Sequence, residues 1–164
     1  MDREILLEKV REAAKAEKQR AIDECEKFER QYGRKPSKKE KNKINGLPAR
    51  MTSLVFDKKA DKFYTATSGR APSRDSFNSL LKERMPNPSL ESGRDPESCA
   101  EVQAADKALN CRDNARISDL IIATVLTGDE TPQVRCENCK VTLREALVIT
   151  DEMAEQEMKN VQIQ

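Results

Sequence analysis

Leu120 to Thr127 reads LIIATVLT, eight residues without a charge and rich in β-branched side chains. The run is too short for a buried helix and lacks the alternation of a strand with one wet face, so it reads as a central strand covered on both sides. A strand of that kind needs neighbours along its edges and a layer on each face. The chain has 164 residues, 37% apolar and 36% charged, so burial must be concentrated in a few such segments. That length suits one domain rather than two.

The other segments fit around this strand. From Arg3 to about Gln31, Leu6, Val10, Ala14, Ala21, Cys25 and Phe28 recur at helical steps, which predicts a surface amphipathic helix ended by Gly33 and Pro36. Ser37 and Glu40 have capping-box spacing for a short helix, and Asn45-Gly46 reads as a turn. Met51 to Phe56 and Lys62 to Thr67 read as a hairpin. Residues 68–98 hold four prolines, with one short helix expected around Phe77, Leu80 and Leu81. A helix is predicted over Cys99 to Leu109 with Ser98 as its N-cap, another over Cys136 to Ala146, and a second buried strand over Leu147 to Thr150. Glu152 to Lys159 reads as helical and Val161 to Gln164 as an edge strand. Hairpin, helix, strand, helix, strand is the order of an α/β fold with a mixed sheet and helices packed on it.

The chain has five cysteines and no histidine. Histidine-dependent triads and His-rich metal sites are therefore excluded, and thiolates and carboxylates remain as ligands. Cys136-Glu-Asn-Cys139 is a CxxC, a metal or redox signal. Cys99 and Glu101 fall at the expected start of one helix, and the CxxC at the start of the next, with the buried strand between. Neighbouring helices in that order bring three thiolates together and leave a fourth tetrahedral position open, as in catalytic zinc sites. Other readings stand beside this one. Cys99 can be an ordinary buried cysteine, and Ser98-x-x-Glu101 has capping-box spacing, which gives Glu101 a purely structural role. Cys111 is a fourth thiol, but lies at the far end of its helix, and Cys25 reads as core packing.

Cys99-Ala-Glu101 followed by Cys136-Glu-Asn-Cys139 resembles the [H/C]-x-E and C-x-x-C signature of the cytidine-deaminase superfamily. The run SCAEVQAADKALN, residues 98–110, is similar to its toxin-type, YwqJ-like branch, in which cysteine replaces the histidine ligand. The resemblance covers roughly residues 50–150. It implies a cytidine deaminase-like three-layer fold with a mixed four- to five-stranded sheet and helices on both faces. It also implies Zn²⁺ on Cys99, Cys136 and Cys139, with Glu101 as proton shuttle. Zinc-activated water attacks C4 of cytosine or C6 of adenine in such enzymes, while the glutamate moves protons to the ring nitrogen and the departing ammonia. One departure is visible: the pattern usually has proline directly before its CxxC, where this chain has Arg135 and its nearest proline is Pro132. Helix N-termini, with Arg135 and Lys140, are expected to offset the charge of three thiolates.

The net charge of +1 gives no global field, but residues 30–50 carry eight positive charges against Glu40 alone. Arg34, Lys35, Lys38, Lys39, Lys41 and Lys43 are the expected nucleic-acid contacts, with Tyr32 available for stacking; a solvated linker is the alternative. The chain thus divides into an N-terminal helix and basic connector, 1–49, and a deaminase-like catalytic domain, 50–164. The resulting expectation is a deaminase converting cytosine to uracil in single-stranded DNA, duplex DNA or RNA, as the catalytic end of a larger toxin with a cognate immunity protein. A free nucleoside deaminase and a non-catalytic zinc module that binds nucleic acid or protein remain open. The N-terminus lacks a secretory layout and no apolar run reaches membrane-spanning length, so no membrane partner and a cytoplasmic location, or delivery into a target cell, are expected.

Overall fold

The computed structural model describes residues 1–163. Strands β1 (Met51–Asp57) and β2 (Lys62–Thr67) form the expected antiparallel hairpin, with Val55 opposite Tyr64. The Asp57 carboxylate closes its turn by accepting from the backbone N–H groups of Lys59 and Ala60, and Asp61 takes the left-handed conformation at φ 53°. Strand β3 (Leu120–Leu126), the charge-free run, pairs antiparallel with the other edge of β1 and parallel with β4 (Leu147–Val148). The sheet order is β2-β1-β3-β4, an open, mixed α/β sheet with β3 inside it.

Both faces are covered. Leu54, Phe56, Ile121, Ala123 and Val125 project to one side, where Leu6, Val10 and Ala14 of helix α1 (Arg3–Tyr32) complete a buried cluster. The Asp2 side chain caps α1 by accepting from Glu4 N–H at 2.9 Å, and Gly33 ends it at φ 69°. Helix α2 (Lys38–Ile44) has the predicted Ser37/Glu40 capping box, and α3 (Ser79–Arg84) interrupts the proline-rich segment. On the opposite face Val55, Leu120, Ile122 and Val148 meet Val102, Ala105 and Leu109 of α4 (Ala100–Asn110), joined by Phe77 and Leu81. Each fully buried Leu, Ile or Val contributes about 1.5–3 kcal/mol relative to exposure, so the two clusters hold helix layers on the sheet from both sides.

The C-terminal third departs from the sequence reading. Helix α5 (Glu137–Thr142) stops short of the expected Ala146 because Leu143 leaves helical geometry at φ −113° and ψ 30°. Strand β4 is two residues rather than the four expected over Leu147–Thr150. Thr150 instead lies in the first turn of α6 (Ile149–Ile163), and its hydroxyl accepts the Thr124 N–H at 3.0 Å, taking a ladder donor of β3. Further along, Leu126 donates to Thr131 O at 2.9 Å and Gln133 donates to Thr124 O at 3.0 Å, so the loop itself covers that edge. Val161–Ile163 continue α6 instead of forming an edge strand, and Gln164 lies outside the described residues. Four strands make up the sheet among the described residues, the lower end of the expected four to five. No helix among them is long and apolar enough to cross a membrane.

Candidate metal centre and active site

Helix α4 runs antiparallel to β3 and α5 follows it, so both helices begin at the carboxyl end of that strand, the end where open α/β sheets place their ligands. Each begins on a cysteine. Cys99 is the N-cap of α4 and Cys136 the N-cap of α5, both with extended backbone, and neither thiol caps its own helix. Ser98, the expected N-cap, sits instead in a 3₁₀ turn, Pro96–Ser98, where its hydroxyl donates to Asp95 O at 2.7 Å. Glu101 is consequently not in a capping box with Ser98. The structural role that spacing offered it is removed.

The Sγ atoms of Cys99, Cys136 and Cys139 all lie within 4.8 Å of one another, with Cys99 and Cys136 at 3.6 Å. Bonds of about 2.3 Å at tetrahedral angles separate zinc-bound sulfurs by about 3.8 Å, so three thiolates at this spacing fit a zinc-sized cation. Cys99 and Cys139 are buried and Cys136 is half-buried. Cys111 is exposed at the opposite end of α4, beside Tyr64, and does not close the set as a fourth ligand. Cys25 is half-buried rather than in the core, its thiol donating to Gly46 O at 3.3 Å.

Glu101, in the first turn of α4, is 5% exposed, and its Oε2 accepts from the Cys139 thiol at 3.8 Å. Burial pushes its carboxyl above the usual range, and the negative charge of nearby Cys136 adds to the shift. The Thr124 hydroxyl of β3 works against that shift by hydrogen-bonding the carboxylate. Thr124 is itself held by Ser53 of β1, hydroxyl to hydroxyl at 2.6 Å. Among the thiols, Cys136 ionises most readily, because Cys139 and Cys99 hydrogen-bond to it and the Arg94 guanidinium stands beside it. The result is a proton-avid carboxylate beside three clustered thiols, one of them already prone to lose its proton.

Cys99, Cys136 and Glu101 face a cavity of about 190 Å³, while Cys139 lies beneath it. This is well beyond what a single water needs, so a small molecule has room in front of the thiols. Arg50 and Arg94 also line it; the sequence reading counted Arg50 only as the last cation of the basic run and did not single out Arg94. Asn138, inside the CxxC, is fully buried and was missed too. It accepts from Leu90 N–H at 2.8 Å and donates to Ser89 Oγ at 2.9 Å, pinning the loop that carries Arg94 to α5. A polar residue within a CxxC at a helix start was the available signal for Asn138. Arg94 had none, since its relation to Cys136 exists only in the folded chain.

The other expected cations are engaged elsewhere. Arg135 bonds Asp151 through its backbone N–H and its guanidinium, both at 2.8 Å, and Leu143 O at 3.1 Å. Where the superfamily pattern has a proline, this chain thus uses an N–H that proline lacks. Lys140 pairs with Glu137. The six-residue α5 also supplies less macrodipole than a long helix, leaving Arg94 as the close positive charge. In the basic connector, Arg34 forms a two-pronged pair with Glu40 at 2.8 Å and is occupied structurally. Lys35, Lys38, Lys39 and Lys43 are exposed and Lys41 is half-buried; none makes an ion pair among the described residues. Tyr32 stacks on Phe28 rather than standing apart, with ring centroids 4.5 Å apart.

No protein-family model matches the chain, and no match to it was found among curated proteins or solved structures.

Proposed function

We propose that this protein is a zinc-dependent hydrolytic deaminase that converts cytosine to uracil in a polynucleotide. The observation that carries this reading is a buried glutamate, outside the capping box that Ser98 spacing offered, set against three clustered cysteine thiols of which two line an open cavity. Cys99, Cys136 and Cys139 would hold the ion, with the cavity side open. Zinc, when bound, supplies the Lewis acidity that makes water nucleophilic at neutral pH.

The chain's own residues supply the rest. Glu101 takes a proton from the attacking water, delivers it to the ring nitrogen, and passes the second proton to the amino group, so that water enters and ammonia leaves. Its burial favours the protonated form needed for delivery. Thr124, bonded to Ser53, holds the carboxylate in place. The resemblance of residues 98–110 to toxin-type deaminases supports the finer reading: a cytidine deaminase-like fold, a nucleic acid substrate and an immunity partner. The exposed lysines of α2 support a phosphate-bearing substrate.

The test is conversion of cytosine in oligonucleotides, read by sequencing. The zinc-loaded protein should convert cytosine, and Glu101→Gln should lower the rate at least about 10²-fold while keeping the metal. Full activity in Glu101→Gln would overturn the assignment of the proton shuttle. A zinc-loaded wild type inactive on single-stranded DNA, duplex DNA, RNA and free cytidine would leave a structural zinc module.

A further inference from the structure

We propose that Arg50 and Arg94 form a phosphate-binding pair at the cavity, so that the site takes a base together with its own phosphate rather than a free base or nucleoside. The inference rests on the deaminase reading for the identity of the base, but the pairing itself rests on the two guanidiniums. Both line the same cavity as Cys99, Cys136 and Glu101. Among the described residues neither is ion-paired to a carboxylate. The half-buried Arg74, Arg84, Arg112 and Arg135, by contrast, pair with Glu97, Glu145, Asp57 and Asp151.

Arg94 is half-buried, and a partly desolvated guanidinium without a carboxylate is unfavourable unless an anion meets it. Arg50 is exposed and lines the same cavity, so its guanidinium is accessible to that anion. Arg94 lines the cavity beside Cys136 without an ion pair, and arginine has five donors in a rigid fork suited to phosphate.

Both arginines are held in place rather than carried on loose loops. The connector leading to Arg50 is clasped by α1: the buried Glu17 accepts from Ala49 N–H at 3.0 Å, and Arg20 donates to Asn45 O at 2.9 Å. Arg50 O then accepts from Thr127 N–H at 2.9 Å, and Met51 N–H donates to Ser68 Oγ at 3.0 Å. Arg94 O accepts from Ser89 Oγ, itself bonded to the buried Asn138. Backbone fixed in this way spares loop ordering when the two side chains meet an anion.

Zinc-loaded Glu101→Gln protein, which leaves the ligand intact, should be titrated by calorimetry with cytidine 5′-monophosphate and with cytidine. The monophosphate should bind at least about tenfold tighter, and Arg50→Gln or Arg94→Gln should each remove most of that difference while leaving cytidine affinity unchanged. Because Arg94 touches Cys136, zinc content is measured alongside, and Arg50→Gln alone decides the matter if Arg94→Gln loses metal. Equal binding of the two ligands, no binding of either, or equal weakening of both in Arg50→Gln overturns the pair. Phosphate-dependent binding through these arginines, in a protein whose wild type releases no ammonia, keeps the pair and overturns the deaminase reading.

Discussion

Glu101 occupies a position where ionisation is least favourable, buried in the first turn of α4 against a thiol. Glutamine has the same shape and needs no charge desolvated. Metal-free Glu101→Gln should therefore melt at the wild-type temperature or above it, whereas a residue retained for stability would lower it. A clear fall in melting temperature would return Glu101 to a structural role. The three cysteines and this glutamate were legible in the sequence because their chemistry depends on residue type and spacing. Ser98 misled because Ser-x-x-Glu spacing signals a cap only if the serine directly precedes the helix, and the 3₁₀ turn binds its hydroxyl back to Asp95. Arg94 and Thr124 reach the site from distant segments, so no local pattern marks them.

At the scale of elements, α1 packs on one face of the sheet, where Ile149 of α6 joins it. Leu6 is 1% exposed and packs in the cluster with Val10, Leu54, Phe56 and Ile121. Leu6→Ala should cost about 3 kcal/mol in denaturant unfolding, the middle of the range for a buried leucine. A cost below about 1 kcal/mol would mean that α1 does not pack on the sheet as described. Helical and strand periodicity made α1, the hairpin, β3 and α4 legible. The final third was not, because tertiary bonds decided it. Thr150 gives its side chain to β3 and turns the chain into α6, and helix continuation then overrides the strand preference of Val161 and Ile163.

Across the whole molecule, the sheet carries different chemistry at its two ends. The thiols and Glu101 gather at the carboxyl end of β3. At the other end Arg112 bridges Asp57 and Asp119 at 2.7–3.0 Å. Burial pushes both carboxyls up, but Arg112 and backbone N–H donors outweigh it and hold both below the usual range. A depressed folded pKa gives stability that is present above the unfolded value of about 3.9 and lost as pH falls through the folded value. The part of the melting temperature due to this cluster should therefore hold from neutrality to about pH 4 and fall below it. Asp57→Asn should lower it at pH 7 and flatten the acid slope; an unchanged slope would show that this cluster does not carry the effect. The central claim is that Cys99, Cys136 and Cys139 hold one metal ion beside Glu101, and elemental analysis of protein purified under reducing conditions tests it most directly. The account predicts about one zinc per chain, kept in Glu101→Gln and lost together with fold stability in Cys139→Ser. A metal-free wild type that does not take up added zinc, and whose Cys99 and Cys136 close reversibly into a disulfide, would contradict it.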